Sequence, residues 1–359
     1  GGTIVKVNGI PTGVLIDNAM DLVAKKIPAP TKKEMRKALI MANSNTCSYG
    51  LTTLCEAGNS IDVFKEIELL QKENKFMAKV YGMLVPGSEE FEFARKNKHY
   101  QKDKMTIRSF KLIADGALGS RGACLKDPYS DASGIFGKLI YPLNKIDSLI
   151  NQIDALDYQV NTHCIGDSAN SVVLKFYAKY LEKTNDLRWR IEHAQIMDVN
   201  EFPYFQKYSI LPSVQPTHAV SDMPWAKDRV GVERLKGGYA FHTLMQQNGM
   251  VALGTDFPVE EVNPFKTFYA AVTNKYYDGK TIVGFREGEV LSRLDALKGM
   301  TKWAALACFM EEKTGSLEVG KFADMIILNK DILKVSDSEL LSTMVIHTFI
   351  NGKRVHSLE

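Results

Sequence analysis

Tyr158-Gln159-Val160-Asn161-Thr162-His163-Cys164-Ile165-Gly166-Asp167 and, further on, Arg188-Trp189-Arg190-Ile191-Glu192-His193-Ala194-Gln195 are short apolar runs that each close on a histidine. Between them Ala169, Val172, Val173, Phe176, Tyr177 and Tyr180 recur at helical spacing over 168–183. The reading is strand, helix, strand, with a histidine at the carboxyl end of each strand. In a (β/α)8 barrel those ends are where catalytic residues gather.

Working outward, the same alternation runs through most of the chain. Strands are expected at 51–56, 76–85, 105–115, 158–164, 187–194, 209–215 and 250–255. Helices are expected at 60–74, 143–156, 168–183, 200–207, 239–248, 264–274 and 293–308. A long Gly-, Ser-, Asp- and Pro-rich loop fills 116–137. Strands separated by helices imply parallel βαβ units. A doubly wound sheet would normally carry a glycine-rich phosphate turn, and neither GxGxxG nor GxxxxGK occurs. The expected fold class is therefore α/β, a (β/α)8 TIM barrel, but with seven strands: one is missing. Before the barrel strands, 1–13 reads as a hairpin turning at Asn8-Gly9. Thr31 and Glu34 form a capping box for a helix to about residue 43. From about 315 the pattern changes to short strands. We divide the chain into an incomplete barrel, 1–314, and the C-terminal strands of a small β-sandwich, 315–359.

Bulk properties narrow the function. The 359 residues are 45% apolar and 24% charged, with net charge +3, an ordinary globular mixture. No basic stripe or like-charge block points to nucleic acid or a membrane surface. No apolar run approaches the roughly 18 residues of a membrane span. The five cysteines are scattered without a CxxC pair, which reads as reduced thiols in a cytoplasmic setting. Cys164 points away from His163 by strand alternation and is expected to pack.

Four strand ends carry ligand-type side chains: Lys111, His163, His193 and Asp256. Histidine with a carboxylate suits a borderline divalent metal, zinc foremost. Such an ion makes hydroxide available at neutral pH, and an aspartate beside it can carry the proton. Each residue also has a plainer reading. A lone strand-end histidine is commonly a hydrogen-bonded structural residue, and Asp256 before Phe257-Pro258 suits a turn. Lys111 lies in an apolar strand, so it either points outward or has a special task. It is the recurrence at successive strand ends that favours a site.

Five stretches resemble signatures of the amidohydrolase superfamily, in its YtcJ-like and N-substituted formamide deformylase-like branch. They are Phe110-Lys111-Leu112-Ile113-Ala114-Asp115-Gly116, His163-Cys164-Ile165-Gly166-Asp167, Ile191-Glu192-His193-Ala194-Gln195, Ser213-Val214-Gln215-Pro216-Thr217-His218 and Gly254-Thr255-Asp256-Phe257-Pro258. The ending from Gly315 to Asp324 is similar to that family's return into its β-sandwich. The resemblance implies one or two divalent ions. Lys111 then matches the bridging lysine, carboxylated in many members. His163 and His193 match metal ligands, and Asp256 matches the aspartate that binds metal and shuttles the proton. His218, Asp115 and Arg121 fall where substrate contacts are expected. The family's His-x-His, from its first strand, is absent among the seven histidines. The missing motif and the missing strand are one absence, so a preceding segment or a homo-oligomer is an expected partner beside a small-molecule substrate. These features lead to a metal-dependent hydrolase of an amide-type C–N bond. The rivals are a catalytically incomplete barrel or binding module, and a metal-dependent deaminase.

Overall fold

The computed structural model describes residues 2–278 and 284–358. The chain opens with an antiparallel hairpin, β1 (Gly2–Val7) and β2 (Ile10–Asp17). Asn8 and Gly9 between them have φ of 51° and 81°, the left-handed pair that a two-residue hairpin turn requires. The helix Lys32–Ser48 starts at the expected capping box: the Glu34 amide donates to Thr31 Oγ1, and the Thr31 amide donates to Glu34 Oε2 at 2.8 Å.

Next come β3 (Thr53–Asn59), β4 (Lys79–Leu84), β5 (Tyr100–Lys102), β6 (Met105–Ile113), β7 (Gln159–Cys164), β8 (Arg190–His193), β9 (Leu211–Val214) and β10 (Ala252–Leu253). Apart from β5, which pairs antiparallel with β6, they form one parallel sheet in sequence order, β3 to β10. Each strand is brought beside its predecessor by an intervening segment that carries helix, the crossover that parallel neighbours need. β3 and β10 are its outer strands and do not pair with each other. The sheet is thus a curled, open one. β10 keeps only two residues of the expected six.

The apolar core lies between this sheet and its helices. Phe64, Phe110, Ile150, Tyr177, Trp189 and Phe268 are wholly buried there. Gly82 in β4 is required by that packing: a Cβ would come within 2.6 Å of the Phe64 ring. The chain ends in an antiparallel sheet of β11 (Met325–Leu328), β12 (Val345–Ile350) and β13 (Lys353–Ser357). β1–β2 and β11–β13 are separate sheets. The latter is fastened to the main body from below. Buried Lys79, at the start of β4, lies 2.6 Å from Asp324 Oδ2 and 2.7 Å from Asn351 Oδ1, and Thr348 Oγ1 donates to the Cys47 carbonyl. Among the described residues no helix is long and apolar enough to cross a membrane.

Candidate metal centre

The strand-end residues converge at one end of the sheet. His163 ends β7 and His193 ends β8, and their rings meet edge to face with centroids 4.5 Å apart. Simple alternation would turn His193 outward with Trp189, which packs on Tyr177 of the helix Asp167–Tyr180 at 5.0 Å. Instead His193 and Ala194 take φ of 73° and 43°, and this left-handed turn aims the imidazole at its neighbours. His218 lies in the first turns of the helix Pro216–Asp222 that follows β9, its ring stacked 5.7 Å from that of His193. Asp256, just past β10, also has positive φ, 58°, and its Oδ2 is 3.6 Å from His218 Nε2. Such conformations in non-glycine residues cost of order 1–3 kcal/mol and cluster at functional sites. His193, His218 and Asp256 offer ligand atoms that all lie within 4.8 Å of one another.

The electrostatics suit a cation. His163 Nε2, His193 Nδ1 and His218 Nε2 are buried and have no hydrogen-bond partner among the described residues. Burial lowers the pKa of His163 to about 3, helped by the Lys111 charge, and that of His218 to about 4. It depresses His193 as well, with His163 and Lys111 adding to the effect. The rings are therefore neutral at neutral pH, with lone pairs to offer. Burial also pushes Asp256 up to about 6, against the pull of Lys111. An isolated carboxylate among buried, unpartnered imidazoles is costly, and a divalent ion would relieve both.

Lys111 is half-buried on β6, and its charge acts on His163, His193 and Asp256. Its stem lies over Gly58 at the end of β3, where φ is 113° and a Cβ would stand 3.3 Å from Lys111 Cβ and Cγ. Nothing local in the sequence marks Gly58 as part of the site.

Two of the expected substrate contacts are placed otherwise. Asp115 is fully buried and accepts from the amides of Cys124 (2.8 Å), Ile165 (3.0 Å) and Gly166 (2.8 Å). Its Oδ1 is 3.7 Å from His163 Nε2, beyond hydrogen-bond reach. It ties the loop after β6 to the turn after β7, beneath the histidines. Arg121 holds Asp131 through Nε (3.1 Å) and Nη2 (2.9 Å), with Arg229 on the same carboxylate, so its guanidinium staples the 116–137 loop. His218, expected as a substrate contact, is grouped with the metal-capable atoms.

An open parallel sheet with histidines and an aspartate at its strand ends defines a metal-centre class of α/β protein, and sequence comparison makes this specific. The chain belongs to the amidohydrolase family, whose profile matches residues 1–356. It is 30% identical over 372 residues to Protein LONG AFTER FAR-RED 3 of Arabidopsis thaliana, covering 99% of this chain and 63% of that protein. It is also 30% identical over 366 residues to the putative amidohydrolase YtcJ of Bacillus subtilis, covering 99% and 68%. The chain thus spans about two thirds of the length of these relatives. An uncharacterized metal-dependent hydrolase from Pyrococcus horikoshii superposes with a TM-score of 0.79 at 27% identity, over 91% of this chain and 66% of that one.

Proposed function

We propose that this chain carries the catalytic side of a metal-dependent hydrolase that cleaves an amide-type C–N bond in a small molecule. The observation behind this reading is the set of three buried, unpartnered imidazole nitrogens beside Asp256. His163, His193, His218 and Asp256 would hold a divalent cation, zinc foremost by its liking for nitrogen with carboxylate. A bound ion supplies two things: polarisation of the scissile carbonyl, and water acidified to a pKa of about 7. Asp256 then takes the proton of the attacking water and delivers it to the leaving nitrogen, which departs as a neutral amine. Asp115 keeps the turn after β7 in place throughout. Lys111 would supply a cation that steadies developing negative charge or, carboxylated, an anionic oxygen ligand.

The architecture belongs with this proposal: a (β/α)8 barrel of which the seven parallel strands are the larger part. A second reading rests on the outer edges of β3 and β10, which pair with no further strand among the described residues. On that reading the chain holds its ion weakly and turns over only when another strand fills the gap. Metal content and hydrolysis of a panel of N-formyl and N-acyl amines, measured with and without added zinc, decide between them. Stoichiometric metal with turnover that Asp256→Asn abolishes supports the hydrolase. Failure of the folded chain to take up metal at all would exclude both.

A further inference from the structure

Beneath the metal cluster the inner face of the sheet is polar, and its centre is Arg190. This guanidinium, 2% exposed, donates from Nε to Asn161 Oδ1 at 2.9 Å and lies over the Tyr81 ring. Its two terminal nitrogens both face one sulfur, Cys55 Sγ, at 3.6 and 3.5 Å. Cys55 is on the outer strand β3 and its side chain is solvent-exposed. Cys308, buried, directly follows the helix Lys302–Ala307 and shares a buried cluster with Tyr81, whose register partner on β3 is Cys55. None of these three residues belongs to the metal cluster. A sulfur that accepts from a guanidinium is shifted toward thiolate, the nucleophilic form. The neighbouring Cys308 thiol, then the Arg190 charge, draws the Cys55 thiol below its ordinary range, while Cys308 is held well above it.

We propose that Cys55 and Cys308 are a peroxide-responsive dithiol, with Cys55 the attacking sulfur and Cys308 the resolving one. The Cys55 thiolate attacks the peroxide oxygen and breaks the O–O bond. The product is a Cys55 sulfenic acid, and the leaving alkoxide or hydroxide takes up a proton. The Cys308 sulfur then attacks Cys55, releases water and forms the disulfide. Overall two thiols lose two electrons and two protons, and one hydroperoxide is reduced to an alcohol or water plus water. The bond would tie β3, one outer strand, to the segment after Lys302–Ala307, a helix that packs on Met250 and Ala252 at the other edge. Oxidation would thereby fasten the two sides of the open sheet together.

The test treats the reduced 359-residue chain with hydrogen peroxide, alkylates the remaining thiols and maps peptides by mass spectrometry. A Cys55–Cys308 linked peptide is expected, formed before Cys47, Cys124 or Cys164 reacts. In Cys308→Ser the reaction should stop at a Cys55 sulfenic acid that dimedone traps. Arg190→Lys, whose fold is checked by circular dichroism, should slow Cys55 oxidation about ten-fold by weakening the thiolate. Cys55 remaining a free thiol while other cysteines oxidise would overturn the proposal. So would its linkage to a cysteine other than Cys308, or the absence of a trapped sulfenic acid in folded Cys308→Ser.

Discussion

Each candidate ligand is defined by what surrounds one side chain, and protons report on this. His163 and His218 have folded-state values of about 3 and about 4, below the unfolded value near 6.5. The unfolded chain therefore binds more protons below pH 6.5, and stability falls as pH drops through that window. Asp256, raised to about 6, acts oppositely: without an ion, the folded state loses stability as pH rises from about 3.9 through 6. With three histidines against one aspartate, the metal-free chain should melt at lower temperature at pH 5 than at pH 7. An ion must also displace the Asp256 proton in acid. Calorimetry in buffers of different ionisation enthalpy should find more protons released on zinc binding at pH 5.5 by the wild-type chain than by Asp256→Asn; equal release would contradict the assignment. Asp115→Ala is a test of support. It strands the buried amides of Ile165 and Gly166 and the part-buried amide of Cys124, at about 1–3 kcal/mol each. A clear fall in denaturant midpoint is expected even in the metal-free chain. A substrate contact would instead raise KM and leave stability alone.

At the scale of elements, the strand ends matter more than the strands. The left-handed turn at His193 reverses the alternation that Trp189 and Ile191 follow, and Gly58 ends β3 in a conformation open to glycine alone. Gly58→Ala should cost about 1–3 kcal/mol through backbone strain. It should also displace the Lys111 stem above it and weaken zinc affinity roughly ten-fold, as loss of a supporting contact does. A competition titration against a chromophoric chelator reads the affinity. Unchanged binding would remove Lys111 from the site.

For the molecule as a whole, the docking of the three-stranded sheet on the main body depends on one buried cation. Lys79 has Asp324 and Asn351 as partners. Asp324→Ala leaves that ammonium buried without its counter-ion, with Asn351 alone as partner, which costs about 3–5 kcal/mol. Lys79→Met with Asp324→Leu removes both charges and should be much less harmful. Thermal melts of the two variants provide the comparison. Equal loss in both would mean that packing, not the ion pair, fixes the small sheet.

The order of seven strands was legible in the sequence because each is an apolar run followed by a segment carrying helix, and such periodicity is local. The residue types at the ends of β6, β7 and β8 and just past β10 were legible for the same reason, as was the hairpin at Asn8-Gly9. The tertiary structure decided what no local pattern contains. It turned His193 back across its own strand, brought His218 into register with Asp256, buried Asp115 under three amides and set Cys55 against Cys308. These contacts join distant parts of the chain. They arise from curling the sheet and packing its helices, a non-local balance of burial and backbone hydrogen bonding that a residue's immediate neighbours do not encode.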